Sequence, residues 1–278
     1  MEDYKIKVGI TQGDINGIGY EIIIKTLADN RVLDFCVPVI YGSSKVAAFH
    51  RKSIEAPSFN LNVINNASEI NTKRINIINC VDEEIKVELS KSTSIGGEAA
   101  IASLERATKD LKNGLIDVLV TAPINRKNIS SELFNFQGHT EYLEHQFGQQ
   151  GDALMLLVSD VMRIAIVTGH LPLKKVPEIL TEKIIIDKLQ TLVKTLTQDF
   201  AIRKPRIAVL GLNPHAGDNE RLGKEEQEII IPALQKAKDA GIICVGPFAA
   251  DSFFGSGSFS RYDAVLAMYH DQGIYAFK

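Results

Sequence analysis

Cysteine is scarce in this chain: Cys36, Cys80 and Cys244 lie far apart, each in or beside an apolar run. That spacing excludes a zinc knuckle, a redox pair and a disulfide framework, and predicts reduced, buried thiols. Charge of one sign is lacking too, since 31 Lys plus Arg face 34 Asp plus Glu for a net charge of -3, with no basic cluster. A polyanion would find no complementary field, which excludes nucleic acid as the main partner. No stretch approaches the roughly 18 apolar residues of a membrane span. The opening MEDYKIKVGITQGD is acidic where a secretory leader is basic, so the expected location is cytoplasmic, with no membrane partner. Internal repeats, low-complexity tracts and Pro/Ser-rich linkers are also missing. A boundary between domains therefore falls where the chain passes between lobes without a flexible hinge, expected near residue 125.

What is present is 278 residues that are 45% hydrophobic and 23% charged, enough for two domains of ordinary size. Short β-branched runs recur: IKVGIT at 6–11, FCVPVIYG at 35–42, LIDVLVTAP at 115–123, ALMLLVSD at 153–160, MRIAIVTGH at 162–170, RIAVLGLNPH at 206–215, GIICVGP at 241–247 and YDAVLAMYH at 262–270. They read as strands buried on both faces. Helix-like segments separate several of them, among them GYEIIIKTLADN, GGEAAIASLERATKDLKNG, VPEILTEKIIIDKLQTLVKTLTQDF and GKEEQEIIIPALQKAKDAG. Strands alternating with helices of this length imply crossover connections, hence an α/β protein with mainly parallel sheets in two lobes, residues 1–125 and 126–278.

In open parallel sheets ligands sit beyond the carboxyl ends of the strands. The polar residues that follow the apolar runs are QGDINGIG, TAPINRKN, TGHLPL, NPHAGDN and YHDQG. His170, His215 and His270 fall in the last three, roughly 50 residues apart, as successive strand-helix units would place them. One such imidazole is ordinarily a hydrogen-bonded loop residue. Three converging on one sheet edge point to a divalent metal with an open coordination position, a catalytic rather than a structural ion.

GHTEYLEHQFG places His139 and Thr140 at a helix start, which is either a polar cap or a set of donors for an anion. His145 and His50 have no such setting and read as structural. The loop TQGDINGIGYE is neither G-x-G-x-x-G nor a P-loop, so no standard nucleotide fingerprint is present; it reads as a tight turn whose Asp14 could reach a site edge. Asp251 and Asp271 could ligate the ion, orient an imidazole or cap a turn. Lys278 could bind an anionic substrate or be a solvated lysine.

Taken in order, GDINGIG, TAPINR, GHTEYL, TGHLPL, GLNPHAGDN, GPFAADSFF and YDAVLAMYHDQG resemble the 4-hydroxythreonine-4-phosphate dehydrogenase family of vitamin B6 biosynthesis, over almost the whole chain. The resemblance implies a two-lobed fold similar to isocitrate and isopropylmalate dehydrogenases. It implies a homodimer with its active site at the subunit interface, and NAD (or NADP) bound between the lobes without a Rossmann fingerprint. It further implies that His170, His215 and His270 hold zinc, magnesium or cobalt with ligands from both subunits, and that His139, Thr140 and Lys278 contact a small phosphorylated hydroxy-amino acid. Asp251, Asp271 and Lys278 are then candidates for orientation and proton transfer.

The implied reaction oxidises the substrate's C3 hydroxyl by hydride transfer to NAD, giving a β-keto acid that loses carbon dioxide. The start departs from the family's Gly-Asp-Pro-Ala-Gly-Ile-Gly-Pro at Ile15, Asn16 and Tyr20. Family chains also continue past the position of Lys278, so the first lobe is expected to lack a C-terminal segment. Two rival readings stand beside this one: a sister dehydrogenase for phosphothreonate or phosphoerythronate, and a non-catalytic binding protein that keeps the anion site without turnover.

Overall fold

The computed structural model describes residues 4–56, 60–82, 84–129, 134, 136, 138–148 and 152–278. Among the described residues ten strands form two five-stranded sheets. The first holds β1 (Ile6–Thr11), β2 (Cys36–Gly42), β3 (Leu61–Ile64), β4 (Ile75–Asn79) and β5 (Val118–Thr121) in the order β3-β4-β2-β1-β5, all parallel. The second holds β6 (Met155–Val158), β7 (Arg163–Ile166), β8 (Ile207–Leu210), β9 (Cys244–Phe248) and β10 (Ala264–Ala267) in the order β6-β7-β10-β8-β9. Only β6 runs antiparallel, paired with β7 across a tight turn in which Ser159 N donates to Met162 O at 2.9 Å. The α/β, mainly parallel architecture in two units is as the alternation of strands and helices predicts.

Near-continuous apolar strands are explained by cover on both faces. In β2, Ile40 packs with Ile23, Ile24 and Leu27 of helix Gly19–Leu27, while Val39 and Tyr41 face Ala107 of helix Ser94–Lys112 and Ile116 on the opposite side. In the second sheet Val209 and Leu266 pack against helices Glu182–Gln198 and Ile231–Asp239, and Ala208 and Val265 pack against Phe253. Strand β5 departs from this expectation: as the sheet's edge strand it leaves Val118 and Val120 44% and 51% exposed.

The units divide between Gly148 and Gln149, not near residue 125. The reason is hydrophobic: Ile129, Phe134 and Tyr142 pack with Ala100 and Leu104 of helix Ser94–Lys112, which ties the residues after β5 to the first core. Two strands, β3 and β4, have no counterpart among the predicted runs. Asn76 in β4 is fully buried, and its amide donates to Pro38 O, Asn71 O and Arg74 O while its Oδ1 accepts from Asn62 Nδ2. A satisfied buried amide fits inside a strand, yet it breaks the apolar pattern by which strands are recognised. The cysteines are free, but only Cys244 is fully buried; Cys36 and Cys80 are half-buried. Burial, followed by the charge of Arg106 acting in the opposite sense, leaves the Cys80 thiol pushed up to about 12, which keeps it protonated and inert.

Candidate functional site

The three histidines fall where the sequence places them, just past β7, β8 and β10, which are neighbours in the second sheet. Two side chains bind these strand ends together. Thr168 Oγ1 donates to Met268 O at 2.8 Å, joining the loop after β7 to that after β10. Gln272 accepts from Met268 N at 2.8 Å and donates through Nε2 to Gly211 O at 2.6 Å, joining the loop after β10 to that after β8. The glutamine of YHDQG is thus a brace, a role no spacing rule discloses.

His170 and His270 come together with ring centroids 5.1 Å apart. Both line a cavity of about 360 Å³, together with Gly169, Leu173, Tyr269 and Asp271. Asp271 Oδ1 lies 2.7 Å from His270 Nδ1. A carboxylate only accepts, so Nδ1 carries the proton and Nε2 is left as the nitrogen with a lone pair for a ligand. Among the described residues no three His, Cys, Asp or Glu side chains are grouped to hold a metal. The expected trio is therefore a pair plus a separate His215 within one chain.

His215 sits in an unusual stretch of backbone. Residues 215 to 220 all have positive φ: His215 at 52°, Ala216 at 52°, Gly217 at 84°, Asp218 at 40°, Asn219 at 55° and Glu220 at 70°. Left-handed backbone costs non-glycine residues roughly 1–2 kcal/mol each, so something must impose it. The residues just before this stretch are held by Glu226, 1% exposed, whose Oε1 accepts from Leu212 N and Asn213 N, both at 2.7 Å, while its Oε2 accepts from Asn213 Nδ2 at 2.9 Å. Glu226 begins a single π-turn, Glu226–Ile230, ahead of helix Ile231–Asp239, whose Pro232 lacks the N–H of a regular helical ladder. Sequence reading missed Glu226 because its partners lie 13 and 14 residues earlier.

The remaining candidates are dispersed. Asp251 is exposed in the first turn of helix Ala250–Gly255, where Ser252 Oγ approaches its Oδ1 at 3.4 Å. Lys278 is exposed at the end of helix His270–Phe277. Neither lines the histidine cavity; of the three proposed catalytic groups only Asp271 does.

His139 and Thr140 belong to the first unit, at the start of helix His139–Phe147. Thr140 is exposed; His139 is half-buried, with its Nε2 enclosed and unpartnered. A Cβ on Gly138 would lie 3.9 Å from Arg126 Nε and Nη2, so that guanidinium lies beside the helix start. Burial, then the charge of Arg126, holds the His139 imidazole below its ordinary value of 6.5. A depressed imidazole means the unfolded chain binds the proton more readily, so this residue's contribution is present above pH 6.5 and lost as pH falls toward the folded-state value. His139→Gln should accordingly flatten the fall in unfolding midpoint between about pH 7 and pH 5; an unchanged slope in matched melts would contradict that origin. His50, by contrast, is structural as expected, with Nε2 2.7 Å from Ile15 O and its ring stacked on Tyr20.

Comparison with known proteins bears on this arrangement. Residues 34–278 match the family described as pyridoxal phosphate biosynthetic protein PdxA. A 4-hydroxythreonine-4-phosphate dehydrogenase of Bacteroides thetaiotaomicron is 52% identical over 100% of this chain and 76% of its own length. A Clostridium botulinum protein, provisionally named a D-threonate 4-phosphate dehydrogenase, is 32% identical over 100% of this chain and 83% of its own. The crystal structure of a Klebsiella pneumoniae 4-hydroxythreonine-4-phosphate dehydrogenase matches with a TM-score of 0.86 at 29% identity, covering 99% of this chain and 83% of that one. The architecture and the sequence thus agree, and the chain belongs to the PdxA family of oxidoreductases.

Proposed function

We propose that this chain oxidises 4-phosphohydroxy-L-threonine at its C3 hydroxyl with NAD as hydride acceptor, and that the resulting β-keto acid loses carbon dioxide to give 3-amino-2-oxopropyl phosphate for pyridoxine 5'-phosphate synthesis. The observation that carries the chemistry is the pair His170 and His270 on one cavity wall, with Asp271 fixing the tautomer of His270. The donor set fits a divalent ion, since neutral imidazole is the common ligand for zinc and cobalt and a carboxylate behind it raises its basicity. Such an ion would supply Lewis-acid stabilisation of negative charge on the substrate oxygen. His170, His215 and His270 would hold it, with ligands drawn from both subunits of a homodimer in the cytoplasm; the separation of His215 from the pair within one chain supports that arrangement.

The chain's own groups supply the rest. Asp271 holds the proton at His270 Nδ1 and thereby presents Nε2. His139 and Thr140 offer donors at a helix start, and Lys278 a cation, for the substrate's phosphate. Asp251, Asp271 and Lys278 remain the candidates for taking the hydroxyl proton and returning one to the carbon that loses carbon dioxide. NADP in place of NAD would leave this chemistry unchanged.

A second reading, oxidation of D-threonate 4-phosphate, is favoured by the Clostridium botulinum relative. The two substrates differ at the amino-bearing carbon. NADH formation should appear with 4-phosphohydroxythreonine, vanish with chelator, and return with zinc, magnesium or cobalt. Turnover of D-threonate 4-phosphate alone would transfer the proposal to the second substrate, and silence with both in metal-loaded, folded protein would leave only a binding protein.

A further inference from the structure

The cavity at His170 and His270 has a second wall of a different character. Beyond the polar groups already described it is formed by Leu171, Pro172, Leu173 and Val176, and among the described residues no lysine or arginine lines it. Apolar side chains at a site for a substrate with a carboxylate and a phosphate need a reason. Leu171 and Leu173 are 38% and 68% exposed, so packing into the core does not supply one.

Local structure fixes this wall. Gly169 has φ of 51°, and Leu171 N donates back to Gly169 O at 3.1 Å, closing a tight turn just after β7. Pro172 leads into the single 3-10 turn Leu173–Lys175, in which Lys175 N donates to Pro172 O at 2.8 Å. Val176, 2% exposed, then anchors the start of helix Val176–Ile179. Lys174 and Lys175 follow the leucines directly, yet both are exposed and neither lines the cavity. Two cations therefore stand beside a wall that presents only apolar side chains.

The proposed reaction gives such a wall a task. The substrate's carboxylate, C1, is separated from C3 by one carbon, so a substrate whose C3 oxygen lies at the histidines brings its carboxylate into this same cavity. Asp271 carries its own negative charge on the polar side, and repulsion between like charges turns the carboxylate toward the leucines. After oxidation the C1–C2 bond breaks, its electron pair passes to the C3 carbonyl oxygen, carbon dioxide leaves from C1, and a proton then joins C2. The carboxylate starts as an anion and departs as a neutral molecule. A cation beside it would stabilise the starting state and slow that step, whereas an apolar neighbour withholds water and counter-charge and favours the state in which the charge has moved away.

We infer that Leu171, Pro172, Leu173 and Val176 form the subsite of the carboxylate that leaves, and that a wall without a cation is what commits the oxidised substrate to losing carbon dioxide. The inference rests on the oxidative-decarboxylation reading for the identity of the substrate. It holds equally for D-threonate 4-phosphate, which carries its carboxylate at the same carbon.

Leu173→Lys puts a cation into the wall at an exposed position. In single turnovers of metal-loaded protein on carboxyl-labelled 4-phosphohydroxythreonine, NADH and labelled carbon dioxide should appear together from the unaltered chain, and in the variant carbon dioxide release should slow at least ~10-fold more than NADH formation. Substrate binding without NAD, read from the shift in unfolding midpoint, should become tighter in the variant rather than weaker. Lys174→Met, outside the cavity, should change none of these. A second arm needs no NAD: with a divalent metal the unaltered chain should speed loss of carbon dioxide from oxaloacetate, itself a β-keto acid, beyond the metal alone, and Leu173→Lys should lose that acceleration. Carbon dioxide that keeps pace with NADH in the variant, or slower release without tighter binding, would overturn the subsite and spare the dehydrogenase reading. Oxaloacetate decarboxylation that is lost in Leu173→Lys, with no NADH from the unaltered chain on either substrate, would overturn the dehydrogenase reading and spare the subsite. Neither activity in folded protein would overturn both.

Discussion

His270→Ala should reduce kcat/KM for NADH formation by about 10³-fold or more, the equivalent of roughly 4 kcal/mol of transition-state stabilisation. The stability cost should be small by comparison. The His270 ring is only partly covered and makes one hydrogen bond, to exposed Asp271, plus its contact with His170. Its backbone starts helix His270–Phe277, and that role survives truncation of the side chain. A large kinetic loss with an unfolding midpoint near that of the parent would separate chemistry from folding.

His170→Ala should behave alike, and the double variant should lose little beyond either single one, because two donors to one ion act as a unit. Asp271→Asn should cost less, on the order of 10- to 100-fold, since a side-chain carbonyl can still accept from Nδ1 while the charge that raises imidazole basicity is gone. Activity within about tenfold of the parent in His270→Ala, at saturating metal, would remove the pair from the proposed chemistry.

The strand-end histidines show how far the sequence can be followed. Each apolar run ends within a few residues of its histidine, and parallel strands in register place those ends on one edge, so the location of His170, His215 and His270 was legible. Their grouping was not. It depends on side chains that brace one loop against another: Thr168 on Met268, Gln272 on Gly211, and Glu226 on the residues before His215. Such braces span 13 to 100 residues and have no periodicity to betray them.

The first unit was less legible for a related reason. Strand β4 carries a buried asparagine whose bonding is satisfied only by the folded neighbourhood, and the boundary between units depends on Tyr142 and Phe134 packing on Leu104. Composition saw the polar asparagine and the hinge-free sequence; it could not see the partners.

Glu226→Ala is expected to lower unfolding free energy by about 2–4 kcal/mol, because it strands two partly buried backbone N–H groups, each worth about 1–3 kcal/mol when left unpaired and less where water reaches, together with one donor bond of Asn213. Asn213 keeps a second bond, to Glu225 Oε2 at 2.7 Å, which moderates the loss. Glu226→Gln should fall between. Its amide oxygen can still accept from Leu212 N and Asn213 N, but its amide nitrogen would then meet the Asn213 amide as donor against donor. Urea unfolding of the three proteins should give that order.

The functional consequence follows from the backbone. Five non-glycine residues between 215 and 220 sit in left-handed conformations that relax once the carboxylate no longer holds the residues before them. His215 would then be presented from a broader ensemble. The variants should need more divalent ion for half-maximal activity, by about 10- to 100-fold, as for loss of other groups that orient a metal ligand. A folded Glu226→Gln protein with an unaltered metal requirement would show that the carboxylate serves stability alone, whereas a raised requirement at saturable activity would show that the buried acid sets where His215 stands.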